Sequence, residues 1–167
     1  MPDSEPLQTV RYPAEGPLQV EFRLPASWTT DLKLSTLALF YPESDAGGPS
    51  PAGGLLAVNL DTRTFNPGLT PDEADAQVRA NSKDPNDVLR LGPERWLIRG
   101  KSDKLELTHR SVVHVWVLVR LVRPDLLARI GFVFTGVDDR YENPGDPGYA
   151  TVDLLDRQIE AARVVAS

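Results

Sequence analysis

The sequence predicts an α+β fold, a largely antiparallel sheet of about six strands flanked by helices in an α/β/α sandwich. Three observations carry this expectation. Gln19 to Leu24 alternates apolar and polar residues, a chain of strand patterns joined by short turns runs from Trp96 to Val137, and helix signals stand at Thr70 and Thr151.

In the first strand Val20, Phe22 and Leu24 fall on one side and Gln19, Glu21 and Arg23 on the other, and Pro25 ends it. Leu34 to Tyr41 and Leu55 to Leu60 are further apolar runs. The intervening stretch, Pro42 to Gly54, is so rich in Gly, Pro and Ser that only a long loop fits it. Thr70-Pro-Asp-Glu73 combines an N-cap threonine, a proline at the first helical position and a glutamate three residues after the cap. These are the parts of a capping box, so a helix is expected from Thr70 to about Lys83, with Ala74, Ala76, Val78 and Ala80 turned to the core.

Trp96 to Arg99, Leu105 to Thr108, Arg110 to Arg123 and Ala128 to Val137 read as strands, with reversals at Gly100-Lys-Ser-Asp103 and Arg123-Pro-Asp-Leu126. Short connections make them antiparallel neighbours. In the longest run the odd positions Val113, Val115, Val117, Val119 and Leu121 are all aliphatic. That face is expected to be core, and the mixed even face only partly covered. After the loop Asp138 to Gly148, Thr151 is placed to cap a last helix to about Val165, with Val152, Leu155, Ile159 and Ala162 in one stripe.

A chain of 167 residues is long enough for one core, and the organisation expected is a flexible N-terminal segment over 1–18 and a single domain over 19–167. The formal charge of -6 disfavours nucleic acid and anionic lipid as primary partners, because neutralising phosphates takes surplus Lys and Arg. No apolar run approaches the length that crosses a bilayer. Residues 1–18 have neither a basic start nor an apolar stretch, so they do not read as a secretory signal and a cytoplasmic location is expected.

The search for chemistry is mostly negative. Without cysteine there is no thiolate zinc site, Fe–S cluster or cysteine nucleophile. His109 and His114, five positions apart, point to opposite faces of a continuous strand and cannot share a metal. There is no G-x-S-x-G elbow, Walker A loop or G-x-G-x-x-G. The acidic stretch Asp138 to Asp146 departs from the twelve-residue calcium pattern and reads first as a solvated turn. No catalytic residue, cofactor or metal is expected, and the chain is read as a protein other than an enzyme.

Charge is uneven along the chain. Residues 90–123 carry 3 acids and 8 bases, between acidic segments on either side. The plain reading is strand arginines paired with acids elsewhere in the fold. The sharper one is a docking face for an acidic partner. Trp28, Trp96 and Trp116 are expected in the core. Trp116 also shares the mixed strand face with Arg110, His114 and Arg120, and a tryptophan among arginines is a composition enriched at protein interfaces. These four are the candidate partner-binding residues, unless the terminal helix covers Trp116.

The corner Phe22-Arg-Leu-Pro-Ala-Ser-Trp28, the middle helix, the meander and the closing helix with Asp153, Asp156 and Ile159 in one register resemble the Mog1/PsbP-like fold over Gln19 to Val165. That fold includes a nuclear transport factor, a photosystem subunit, lipoproteins and effector chaperones. The resemblance implies a non-enzymatic protein that binds a macromolecular partner, as an adaptor or chaperone, and a homo-oligomer is compatible with it. The alternative is a START-like binder of lipids or small molecules, with an apolar cavity between the sheet and the last helix.

Overall fold

A computed structural model describes residues 5–32, 36–42, 53–105 and 110–166. Their alternating segments pair into two antiparallel sheets, which makes this a mixed α+β protein dominated by strands. The smaller sheet has the order β1-β2-β10, from β1 (Leu7–Tyr12), β2 (Leu18–Pro25) and β10 (Arg163–Ala166). The larger is seven-stranded, with β3 (Trp28–Asp31), β4 (Ala38–Pro42), β5 (Leu55–Thr64), β6 (Val88–Gly92), β7 (Arg95–Leu105), β8 (Arg110–Arg123) and β9 (Leu126–Val137) in the order β3-β4-β5-β9-β8-β7-β6. Helix α1 (Pro71–Ala80) connects β5 to β6, while α2 (Asp138–Tyr141) and α3 (Tyr149–Glu160) lie between β9 and β10.

Alternation on β2 puts Leu18, Val20, Phe22 and Leu24 into the space between the sheets, where Phe40, Phe132, Ile130 and Leu118 of the larger sheet meet them. Phe22 stands edge-on to both Phe40 and Phe132, with centroids 5.5 and 5.4 Å apart. This geometry suits the ring quadrupoles and locks the sheets together. Val152, Leu155 and Ile159 of α3 extend the same core. On the opposite, outer face of the large sheet, α1 covers only one end, packing Ala74 and Val78 on Val88, Trp96, Val119 and Leu121. The capping box forms as the sequence requires: Thr70 Oγ1 accepts from the Glu73 amide at 3.1 Å, and Glu73 accepts from the Thr70 amide at 3.1 Å. The helix ends at Ala80, short of Lys83.

Several expectations are corrected. The described residues form ten strands rather than about six. The segment expected to be flexible over 1–18 contains β1, which pairs with β2 from Leu7 opposite Pro25 to Tyr12 opposite Val20. Gly100 to Asp103 is no reversal: β7 runs through it to Leu105, because every residue there keeps a partner on β8. The last helix starts at Tyr149 after Gly148, without a side-chain cap from Thr151, and ends at Glu160, leaving Arg163–Ala166 to form a strand edge beside β2.

The largest correction concerns β8. Its even face, with Val112, His114, Trp116 and Leu118, is the one buried between the layers, and Val113, Val115 and Val117 on the odd face are only half-buried. Both faces carry large apolar residues, and period alone favours the uniformly aliphatic odd one. The cross-strand partners decide. Trp116 lies opposite Phe132, His114 opposite Phe134 and Leu118 opposite Ile130, and only this bulky face fills the roughly 10 Å between packed layers. Most of the Pro42 to Gly54 loop, the end of the expected strand Leu105 to Thr108, and His109 lie outside the described residues.

Candidate functional site

The basic middle of the chain is largely neutralised by acids from elsewhere. Arg90 reaches Asp72 at 3.1 Å and lies over the Trp96 ring, Arg99 holds Asp156 at 2.6 Å and Glu160 at 3.2 Å, and Arg110 meets Glu142 at 2.5 Å. Arg123 meets Asp125 at 2.8 Å. Arg120 is the loosest of them, with Glu94 3.7 Å away.

This arrangement separates the four candidate partner-binding residues. Trp116 is only 3% exposed and His114 only 6%, so an exposed tryptophan among arginines does not form; α3 covers it. The Trp116 Nε1–H donates to Asp156 of α3 at 2.8 Å, and the same carboxylate accepts from Arg99. His114 stacks on Trp116 and donates from Nε2 to the Tyr141 carbonyl at 2.6 Å. Arg110 and Arg120 lie six and four residues from Trp116 along β8 and remain partly exposed, whereas Trp116 between them is buried. Trp28 and Trp96 are buried as expected, Trp96 donating to Asp75 at 2.8 Å.

Beside α3, a groove of about 450 Å3 is lined by Arg99, Lys101, His114, Tyr149, Asp153 and Asp156. Its charges are mostly engaged: Lys101 donates to the Glu142 carbonyl at 3.2 Å, and Arg99 to Asp156. Burial lowers the His114 pKa from 6.5, opposed by the Tyr141 hydrogen bond and aided by Lys101. The ring is thus a neutral structural donor at pH 7. Burial pushes Asp156 up, but the hydrogen bonds from Arg99 and Trp116 bring it below its ordinary 3.8.

Both shifts are depressions, so both groups confer stability above their unfolded values that is lost on acidification. Stability is expected to be flat near pH 7, to decline below pH 6.5 as His114 resists protonation, and to decline again below pH 3.8 as Asp156 is protonated. Melting temperatures measured from pH 8 to pH 3 check this. Asp156→Asn should make the lower limb shallower, with Asp75 and Glu21, also depressed by their arginine partners, supplying the rest, while leaving the upper limb in place.

In the acidic stretch, Glu142 is committed to Arg110, and Asp146 accepts from the Asn143 amide at 2.7 Å, a closed turn. The Asp138 and Asp139 side chains lie outside the described set. Among the described residues no group of three or more His, Cys, Asp or Glu is placed to hold a metal ion. No helix among them is long and apolar enough to cross a membrane.

Sequence reasoning missed the feature that stands out most, the outer face of the large sheet. Its register lines up uncharged rows across the strands. One runs Leu39, Ala57, Val133, Val115, Gly100; the next runs Leu55, Thr135, Val113, Ser102; a third runs Asn59, Gly131, Val117, Ile98. None of these positions carries a charge, and each is half-buried or exposed; the first row meets a charge only at its β3 end, where Asp31 lies opposite Leu39. The following row, Asp61, Arg129, Val119, Trp96, brings charge back at the end covered by α1. A hollow of about 110 Å3 opens there between Arg63, Arg129, Val78 and Ile98. At about 4.8 Å between strands and 6.8 Å between rows, the uncharged field spans roughly 400 Å2 of sheet, with its aliphatic side chains half-buried. The signal was present in the valines of β8, but it was read as core.

No protein-family model matches the chain, and no curated protein matches it. Among solved structures it is similar to a crystal structure from Bacteroides thetaiotaomicron VPI-5482, with 13% identity and a TM-score of 0.49 over 89% of this chain. The chain spans 45% of the length of that protein.

Proposed function

We propose that this chain is a non-enzymatic domain that binds a protein partner, as an adaptor or chaperone does, through the outer face of its seven-stranded sheet. The observation that carries the reading is the set of uncharged rows around Val115 and Val133, half-buried and outside the cluster that α1 forms with Val117 and Ile98 among the described residues. Water beside such a field is released when a complementary apolar surface docks, which supplies the driving force for association. A second copy of the chain is one partner of this kind, since an uncharged face meets itself without repulsion. The finer fold reading, a Mog1/PsbP-like sheet with helices flanking it, is supported by α1 on the outer face and α3 on the inner one. A cytoplasmic location belongs to the same proposal.

The START-like alternative needs an apolar cavity between sheet and closing helix. Val152, Leu155 and Ile159 instead share one packed cluster with Trp116 and Leu118, and the groove beside α3 is lined by charged side chains. That reading therefore has less support.

Val115→Lys tests the proposal. The lysine stem can lie along the strand with its ammonium in water, so stability should change by about 1 kcal/mol or less. Quantitative affinity purification is then compared for the parent, Val115→Lys and the distant Arg123→Gln. A partner, or a second copy detected by light scattering, should be retained by the parent and Arg123→Gln and lost by Val115→Lys. Equal retention by all three would reject the outer face as the docking surface.

A further inference from the structure

Arg95 and Arg120 stand directly opposite one another on β7 and β8. Like charges at opposed positions of adjacent strands repel and weaken the pairing. Arg163 on β10 lines the same groove of about 420 Å3, together with Glu160, Ala161 and Val164. The acids around it are already committed. Glu160 extends its carboxylate to Arg99 at 3.2 Å, and Glu21 is shared between Arg11 at 2.8 Å and Arg163 at 2.5 Å. Glu94 stays 3.7 Å from Arg120, too far for a hydrogen bond.

Arg95 donates to the Glu160 and Ala162 carbonyls, where the end of α3 gathers partial negative charge. Burial lowers its pKa; the Glu160 charge opposes this and the Arg120 charge adds to it. Arg120, with 39% of its side chain exposed, has no hydrogen-bond acceptor among the described residues.

We propose that the groove between Arg95, Arg120 and Arg163 is an oxyanion site that takes the carboxylate or phosphate group of a small molecule. Arg120 presents paired N–H donors in a plane that matches such a group, and Arg95, side by side with it and already donating from Nη2 to the two carbonyls, adds positive charge and its remaining N–H groups. The anion also relieves the repulsion between Arg95 and Arg120, so binding stabilises the fold. The site lies on the inner side of the sheet and does not depend on the outer-face reading.

The test titrates the chain with inorganic phosphate and, separately, with acetate, at an ionic strength held constant with sodium chloride. Melting temperature and amide chemical shifts are followed. The expected result is a saturable rise in melting temperature, with shifts centred on Ala161, Ala162, Val164 and the Nε groups of Arg95 and Arg120. Arg120→Gln should weaken the affinity at least tenfold without lowering the melting temperature in the absence of anion. Arg123→Gln, outside the groove, should leave the affinity unchanged. A response to phosphate alone assigns a tetrahedral dianion, and a response to acetate assigns a carboxylate. No saturable response to either, shifts centred elsewhere, or unchanged affinity in Arg120→Gln would overturn the proposal. Should that variant fail to fold, the location of the shifts in the parent decides.

Discussion

Trp116→Ala is expected to destabilise the domain by about 3–5 kcal/mol, the range for removing a large buried aromatic. Two losses combine in it. The ring leaves a cavity between β8 and α3, and Asp156 loses the Nε1–H donor that helps hold its carboxylate beside Arg99. A half-exposed carboxylate recovers part of that hydrogen bonding from water, so the cavity dominates. Urea unfolding of the variant should show a lowered midpoint. A midpoint within error of the parent would place the tryptophan outside the core.

The second large effect is expected for Phe132→Ala, again about 3–5 kcal/mol. Phe132 is fully buried and edge-on to Phe22, and it is the point where the two sheets meet on the β9 side. Its removal costs the aromatic pair as well as the buried area, an additional 0.5–1.5 kcal/mol at most on the usual scale. The double variant Phe22→Ala with Phe132→Ala should therefore lose less than the sum of the two single changes. Strict additivity, measured by chemical denaturation, would show that the rings do not act as a pair.

Much of this architecture was legible where local chemistry leaves one solution. The threonine, proline and glutamate at 70–73 could only be a helix start, Arg123-Pro-Asp-Leu126 could only be a hairpin between long apolar runs, and the alternation at β2 named its buried face. The misreadings fall where the deciding partner is far along the chain. Gly100 to Asp103 has turn residues, but an unbroken ladder to β8 holds it straight. Arg163–Ala166 looks like the end of a helix until β2 offers an open edge.

The candidate site shows the same limit. Arg110, His114, Trp116 and Arg120 do share one face of β8, as their spacing says. What spacing cannot show is that the smaller sheet and α3 lie on that face, burying its centre and separating its charged ends. For the same reason the valines opposite were assigned to the core: in isolation an aliphatic strand face looks alike whether a layer covers it or not. The confrontation of Arg95 with Arg120 needs the β7–β8 register, which local pattern does not supply.

The central claim is that this aliphatic face is open in the isolated chain and is the surface that meets a partner. Methyl NMR of the dilute chain with a soluble paramagnetic relaxation agent tests it most directly. The account predicts strong relaxation at the methyls of Val113, Val115 and Val133, with Leu118, Ile130 and Leu155 protected, and loss of the outer-face effect when the partner is added. Protection of Val115 and Val133 as complete as that of Leu118 in the isolated chain would contradict it.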